Sequence, residues 1–512
     1  METRAARAAA ALRAAFVEVE SGVCGECVDA LTDAQLVEWV KDPDNLGHQR
    51  HSLLQYAAKH GNVHALVSLL SRGLDVDAGD EHGSTALMWA AQAGHEAAVA
   101  LLIEKSASVN AANIKAGNSP LDFAALGGSV EVAALLLENG ALVNAAAAAT
   151  GDTALIFAAL DGHEKVAALL LEKRAAIDTA NKFGDTALTL AAWKGHEAVV
   201  SLLITNGAAL DAMNELSNTP LILAASEGHE KVAALLVEKG ASVNAADKSG
   251  NTALAFAADK GLEVLAALLV EKGASVDAAT PAGYTALLLA AERGLKVLAA
   301  LLIKKGARHD ATTRHGDTAL TLAAWKGREA VVSLLITNGA SFDAVNDLGN
   351  TALTLAKDHT AVRELLLRKG ALVSLLSSEN PAARRSGTIY TSSLSPAVLA
   401  SHANTIVPLL QSRVAEVRTT ALHVLNRLYL PDVVARSKMI ARLLTHLGRS
   451  FPGIHTPLLH YLDPLTRRSL IEAIAARRND TSAAVRNAAV DFIRRRLDPT
   501  SVGVETLLAA LT

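Results

Sequence analysis

Cysteine is nearly absent from this chain: Cys24 and Cys27 are the only two among 512 residues. One close pair cannot supply a disulfide framework, so the fold must hold by burial, and an intracellular, reducing compartment, cytoplasmic by default, is expected. Aromatic residues are scarce as well, 3% against 51% apolar in total. A core of stacked rings is thereby excluded, and Ala, Leu and Val must build it, which suits short helices packed closely. Long apolar runs are missing too, so no segment reads as a bilayer span. The opening METRAARAAAALRAAF lacks the unbroken apolar stretch of a secretory signal, because Arg4, Arg7 and Arg13 interrupt it. Its arginines suggest an organelle presequence only weakly, since Glu2, Glu18 and Glu20 oppose that reading.

Chemical signatures are equally sparse. No G-x-x-x-x-G-K-[ST] phosphate loop, paired-carboxylate signature or nucleophile–base–oxyanion set stands out. No catalytic residue and no cofactor is therefore expected, and the chain reads as a non-enzyme. Cys24, Cys27, His48 and His51 have the ligand types of a closed zinc site. Their spacing fits no compact finger, and the residues between them read largely as helix, so no metal is assigned.

What is present is repetition. Gly184 to Ala208, GDTALTLAAWKGHEAVVSLLITNGA, returns at Gly316 to Ala340 with one change, His196 becoming Arg328. The offset is 132 residues, four times 33. A landmark Ser or Thr recurs at 52, 85, 119, 153, 186, 219, 252, 285, 318 and 351, in steps of 33 or 34. A fixed period of this length signals stacked structural units, and ten of them fill residues 48–373.

Each unit has a mechanical reading. The Thr caps a first helix by accepting a backbone N–H bond one turn on. Ser119-Pro120 and Thr219-Pro220 put Pro at the first helical position, where its missing N–H costs nothing. Leu-x-x-Ala-Ala then keeps that helix slim. A Gly at 94, 128, 162, 195, 228, 261, 294 or 327 ends it in the left-handed conformation. A second helix carries V-x-x-L-L, and a projecting loop leads onward. His95, His163, His196 and His229 begin second helices. Arg328 fills the same slot in the near-duplicate, and a guanidinium offers no lone pair to a metal, so a structural role is expected for all of them.

This pattern closely resembles the ankyrin repeat. The resemblance implies an all-α solenoid of helical hairpins that binds other proteins through its loops and concave face. It also implies a departure: the family's T-P-L-H becomes T-A-L followed by Met88, Asp122, Ile156, Thr189 or another residue at the His position. The inter-unit bonds of that His should be mostly lost, leaving stacking more dependent on apolar contact. Partner contacts in the family lie on the loops and the exposed end of the first helix. Carried to this chain, they are Lys182, Phe183, Asp185, Trp193, Lys194, Glu227, Tyr284, Glu292, Arg293, Arg314, Asp317, Trp325 and Lys326. Trp193 and Trp325 are the sharpest of these, as anchors for a partner or as packing over a neighbouring Ala-rich helix.

Around this array the composition changes. Residues 1–47 read as an N-terminal helical cap and 374–393 as a linker. Residues 394–512 look like HEAT or armadillo repeats, Pro396, Val417 and Ala421 matching Pro464, Val485 and Ala489 at an offset of 68. The net charge of −4 divides into +8 for residues 374–512 and −12 for 1–373. Arg467-Arg468, Arg477-Arg478 and Arg494-Arg495-Arg496 supply the alternative reading, an adaptor for nucleic acid or anionic lipid. Few aromatic platforms accompany them, which disfavours single-strand stacking.

Overall fold

The computed structural model describes residues 50–394, together with 402, 406, 409 and 417. The segment before residue 50, the zinc candidates Cys24, Cys27 and His48, and nearly all of the HEAT-like part lie outside the described residues. The chain divides into two compact units, Met1–Ser275 and Val276–Thr512.

In the first, hairpin follows hairpin: Arg50–Lys59 with Val63–Leu70, Ala86–Ala93 with Glu96–Glu104, Pro120–Gly127 with Val130–Glu138, and Ala154–Leu160 with Glu164–Glu172. Ala187–Lys194 with Glu197–Thr205, Pro220–Glu227 with Glu230–Glu238, and Ala253–Lys260 with Glu263–Glu271 continue the series. The second unit repeats the plan with Ala286–Arg293 and Lys296–Lys304, then Ala319–Trp325 and Glu329–Thr337. Its next hairpin has a shortened first arm, Ala352–Leu355 plus a 3₁₀ turn, before Thr360–Arg368. Among the described residues there are no strands, only isolated bridges at Ala146–Thr153 and Ala246–Thr252. The fold is an all-α solenoid of the expected kind.

Local chemistry sets the helix ends where expected. The hydroxyls of Thr153, Thr186, Thr219, Thr252, Thr285, Thr318 and Thr351 each accept the backbone N–H three residues on. The eight mid-unit glycines all have φ between +70° and +86°, a region in which a Cβ costs roughly 1 kcal/mol or more. Ala191, Ala192, Leu188, Val199, Val200 and Leu203 of one unit are completely buried, and no single hairpin could cover all of them alone.

Stacking is not left to apolar contact. The Nε2–H of His95 donates to the Lys59 carbonyl of the preceding unit at 2.9 Å. His163, His196 and His229 donate likewise to Leu126, Leu160 and Trp193, each at 3.0 Å. In the second unit His359 reaches Trp325 O at 3.0 Å, and Arg328 Nε reaches Glu292 O at 3.1 Å. The guanidinium thus makes the imidazole's bond, which explains why Arg replaces His in the near-duplicate. The inter-unit hydrogen bonds expected to be missing are supplied from the second helix. The T-P-L-H position has turned inward: Thr189 accepts the Thr186 N–H at 2.7 Å, and Asp122 accepts the Ser119 N–H at 2.7 Å.

Each clamp lies on a mid-unit glycine. A Cβ at Gly162 would sit 2.6 Å from His196 Nδ1, and one at Gly195 would sit 2.5 Å from His229 Nδ1. At Gly228 the following unit offers Leu262 instead of His, and nothing lies within 4 Å.

Residues 374–393, assigned above to a linker, are mostly helical. Ala371–Ser377 and Pro381–Ser393 form a further hairpin on the last array unit. Leu372, Leu375 and Leu376 are buried, and Arg384, also buried, donates through Nη1 to the Ser378 and Glu379 carbonyls. Turn-formers such as Gly387 disguised this helix in the sequence; a methyl added at Gly387 would lie a tight 3.1 Å from Leu375 Cβ.

Two predictions follow from these contacts. Gly162→Ala and Gly228→Ala share the left-handed penalty, but only the first displaces a clamp. Chemical unfolding should therefore show Gly162→Ala the more destabilising, by at least about 1 kcal/mol for the lost hydrogen bond and packing. The second concerns Asp122, whose carboxyl burial pushes up to about 6, opposed by the bonds from Ser119 and aided by the nearby Asp152. A raised native pKa means stability that is full below about 4 and declines as pH rises through 6, up to about 3 kcal/mol in all. Asp122→Asn keeps the acceptor and removes the charge, so thermal melts should show it more stable than wild type at pH 7.5, with the gap closing at pH 4.

Candidate partner-binding surface

Successive loops are laced together by backbone bonds. Lys182 N–H donates to Thr150 O, Glu215 N–H to Phe183 O and Lys248 N–H to Leu216 O, at 2.8, 2.8 and 2.9 Å. In the second unit Arg314 N–H meets Ala282 O at 2.7 Å and Asp347 N–H meets His315 O at 2.9 Å. Side chains add a ladder: Asn181 Nδ2 donates to Asp152, Asn214 to Asp185 and Asn346 to Asp317, at 2.7, 2.9 and 2.8 Å. The Asn or Asp of the successive loop tails from Asp77 to Asp277 accepts a backbone N–H of the next tail, as Asp178 does from Ala209 at 2.9 Å. These bonds hold the loop tips in a row, leaving the tip side chains outside.

The expected contact residues sort into two kinds. Asp185 and Asp317 are rungs of the ladder. Burial raises the Asp185 carboxyl above the usual range, partly offset by the bond from Asn214. Tyr284 is half-buried, its phenol raised by burial and then by Glu292 and Asp317. Lys182, Phe183, Trp193, Lys194 and Glu227 are exposed in the first unit; Arg293, Arg314 and Trp325 are exposed in the second. Lys182 is held back by a bond from Nζ to Ala148 O at 2.6 Å.

Trp193 and Trp325 are 38% and 50% exposed, so neither is packed away. Each indole carries the ammonium of its own neighbour over its face, Lys194 at 4.0 Å and Lys326 at 3.8 Å. The two sites differ in one respect. Lys326 is paired with Glu292 of the preceding hairpin at 3.3 Å, whereas Lys194 has no carboxylate at ion-pair distance among the described residues.

Residues missed in the sequence are exposed apolar groups on the same tips: Leu216 at 61%, with Met213 close to it in the chain, and Ile114 and Leu348 elsewhere. Leu216 is followed by Ser217, which takes φ +59° where other units place Gly. Variation at the residue before the loop Gly or its Ser substitute was the available signal, and a large apolar residue there has no core to enter.

This geometry defines a class, the helical-hairpin solenoid with projecting loops. The chain belongs to the ankyrin repeat family: the family model described as ankyrin repeats (3 copies) matches overlapping stretches from 19–113 through 287–377. The match begins ahead of residue 48, within the segment read as a cap. A second model, described as a HEAT repeat associated with sister chromatid cohesion, matches residues 463–493, within the stretch read as HEAT-like. No curated protein matches the chain. Among the described residues no helix is long and apolar enough to cross a membrane.

The ladder gives a direct test. Asp185→Ala leaves the half-buried Asn214 amide unpaired and should cost about 1 kcal/mol in urea unfolding. Glu227→Ala, at an exposed site, should stay within about 0.5 kcal/mol of wild type.

Proposed function

We propose that this protein is a non-enzymatic scaffold or adaptor that binds other proteins through its loop tips and the exposed ends of its first helices. One observation carries the reading: large apolar side chains, Phe183, Leu216, Trp193 and Trp325, stand in solvent on a framework whose own cohesion does not need them. Ankyrin repeats are generally protein-interaction modules, and an exposed Trp or Phe on a rigid support is the type of group that dominates binding energy. The rigidity matters because tips already laced by backbone bonds lose little further freedom on binding. We read residues 1–47 as an N-terminal cap, about ten ankyrin units after it and a HEAT-like region towards the C-terminus as the layout serving this role.

A photo-crosslinking residue at Phe183 or Leu216, in full-length protein returned to its native cells, should attach specific proteins. The same residue at Ala198, exposed on a second helix, should not attach them. Equal capture from both positions, or none from the tips, would overturn the reading.

A further inference from the structure

The residue three places before the N-cap of each second helix lies in a row along the first helices. In the first unit that row runs Lys59, Gln92, Leu126, Leu160, Trp193, Ser226 and Asp259, so its large apolar members are three in succession. The clamps grip the row itself: His163, His196 and His229 bond the carbonyls of Leu126, Leu160 and Trp193. Leu126 and Leu160 are half-buried and Trp193 is exposed. Three large apolar side chains therefore lie one per hairpin, about 10 Å apart, as neighbouring helices pack at 8–10 Å. A polyproline II peptide rises about 3.1 Å per residue with three residues per turn, so every third residue of such a chain faces the same side and meets one of them.

The track ends in charge. Lys194 lies over the Trp193 ring at 4.0 Å. In the second unit Glu292 occupies the row position before Trp325 and answers Lys326 at 3.3 Å. The first unit has Leu160 at that position, which cannot do so. The sequences around the two tryptophans are nearly the same, yet one ammonium is satisfied internally and the other is left for a ligand. The neighbours of Lys194 in its own row are Asp161 and Glu227, both exposed. Neither carboxylate comes within ion-pair distance of Lys194, so the ammonium has one contact to offer a single carboxylate set directly against it, while the flanking charges oppose a ligand carrying many negative groups, which disfavours nucleic acid here.

Resting on the protein-binding reading above, we propose that Leu126, Leu160, Trp193 and Lys194 form a docking track for an extended peptide segment in the polyproline II conformation. That segment carries large apolar side chains at every third residue and one Asp or Glu beside the last of them. Glu292 acts as a built-in substitute for that carboxylate at the Trp325 site, closing it.

The test uses the full-length chain and a fluorescein-labelled synthetic peptide containing Leu-Ser-Ser-Leu-Ser-Ser-Leu-Glu, with Glu→Gln and Leu→Ser versions and an oligo-dT strand as probes. Wild type should bind the Glu peptide at least about fivefold tighter than the Gln peptide, and Lys194→Gln should abolish that preference, a charge-assisted contact being worth about that factor or more. Leu160→Glu should weaken binding about tenfold by supplying an internal partner, and Leu160→Gln should weaken it less. Circular dichroism melts of each variant check that it is folded. Equal binding of the Glu and Gln peptides, an unaffected Leu160→Glu, tighter binding of oligo-dT, or no binding of the Glu peptide to wild type would overturn the proposal. Each of those results leaves the crosslinking test at Phe183 to decide separately whether the tips bind proteins.

Discussion

A side chain reaching back from each hairpin to the carbonyl at the end of the previous first helix is the constraint on which the array depends. A helix terminus leaves carbonyls without intrahelical partners, and at most junctions in each unit a His or Arg satisfies one of them. The donor can approach only because the residue below it is glycine. The mid-unit Gly thus has two duties: it takes a left-handed φ that ends the helix, and it vacates the space the next ring fills. Where the donor becomes Leu262, the space above Gly228 stays open, and a Cβ added at Gly94 would meet the small Ser129 only at an ordinary 3.4 Å.

Apolar burial and this polar clamp do different work. Fully buried Ala, Leu and Val supply most of the driving force, which is non-directional. The clamps, the Asn–Asp ladder and the backbone bonds between loops fix register, so that equivalent residues of neighbouring units fall into rows. Function on such a framework belongs to whichever row positions the framework leaves unused. Phe183, Leu216 and Trp193 are of that kind, while Asp185 and Asp317, which looked equally available, are consumed by the ladder.

Much of the fold was legible because its causes are local and periodic. Capping Thr, small Ala-Ala pairs and helix-ending Gly act within one turn, and their recurrence every 33 residues states the architecture outright. The helix Pro381–Ser393 was illegible for the opposite reason. Ser, Gly and Thr are poor helix formers, and only packing of this segment on the preceding leucines selects the helix. The role of His196 was half legible: its exchange for Arg328 ruled out a metal, but the carbonyl it serves lies 36 residues earlier, a pairing that no local pattern reveals.

The sequence alone determined the repeat, its hairpin unit and the candidate surface, since spacing and residue type are enough to say where a helix starts, stops and turns a side chain outward. Tertiary structure decided which of those outward groups remain available. Trp193-Lys194 and Trp325-Lys326 are the same dipeptide in nearly the same segment, and only the residue that stacking brings beneath each, Leu160 or Glu292, separates an open cation from a neutralised one. Electrostatic pairing acts over a few ångströms of space, and that distance is set by the stack.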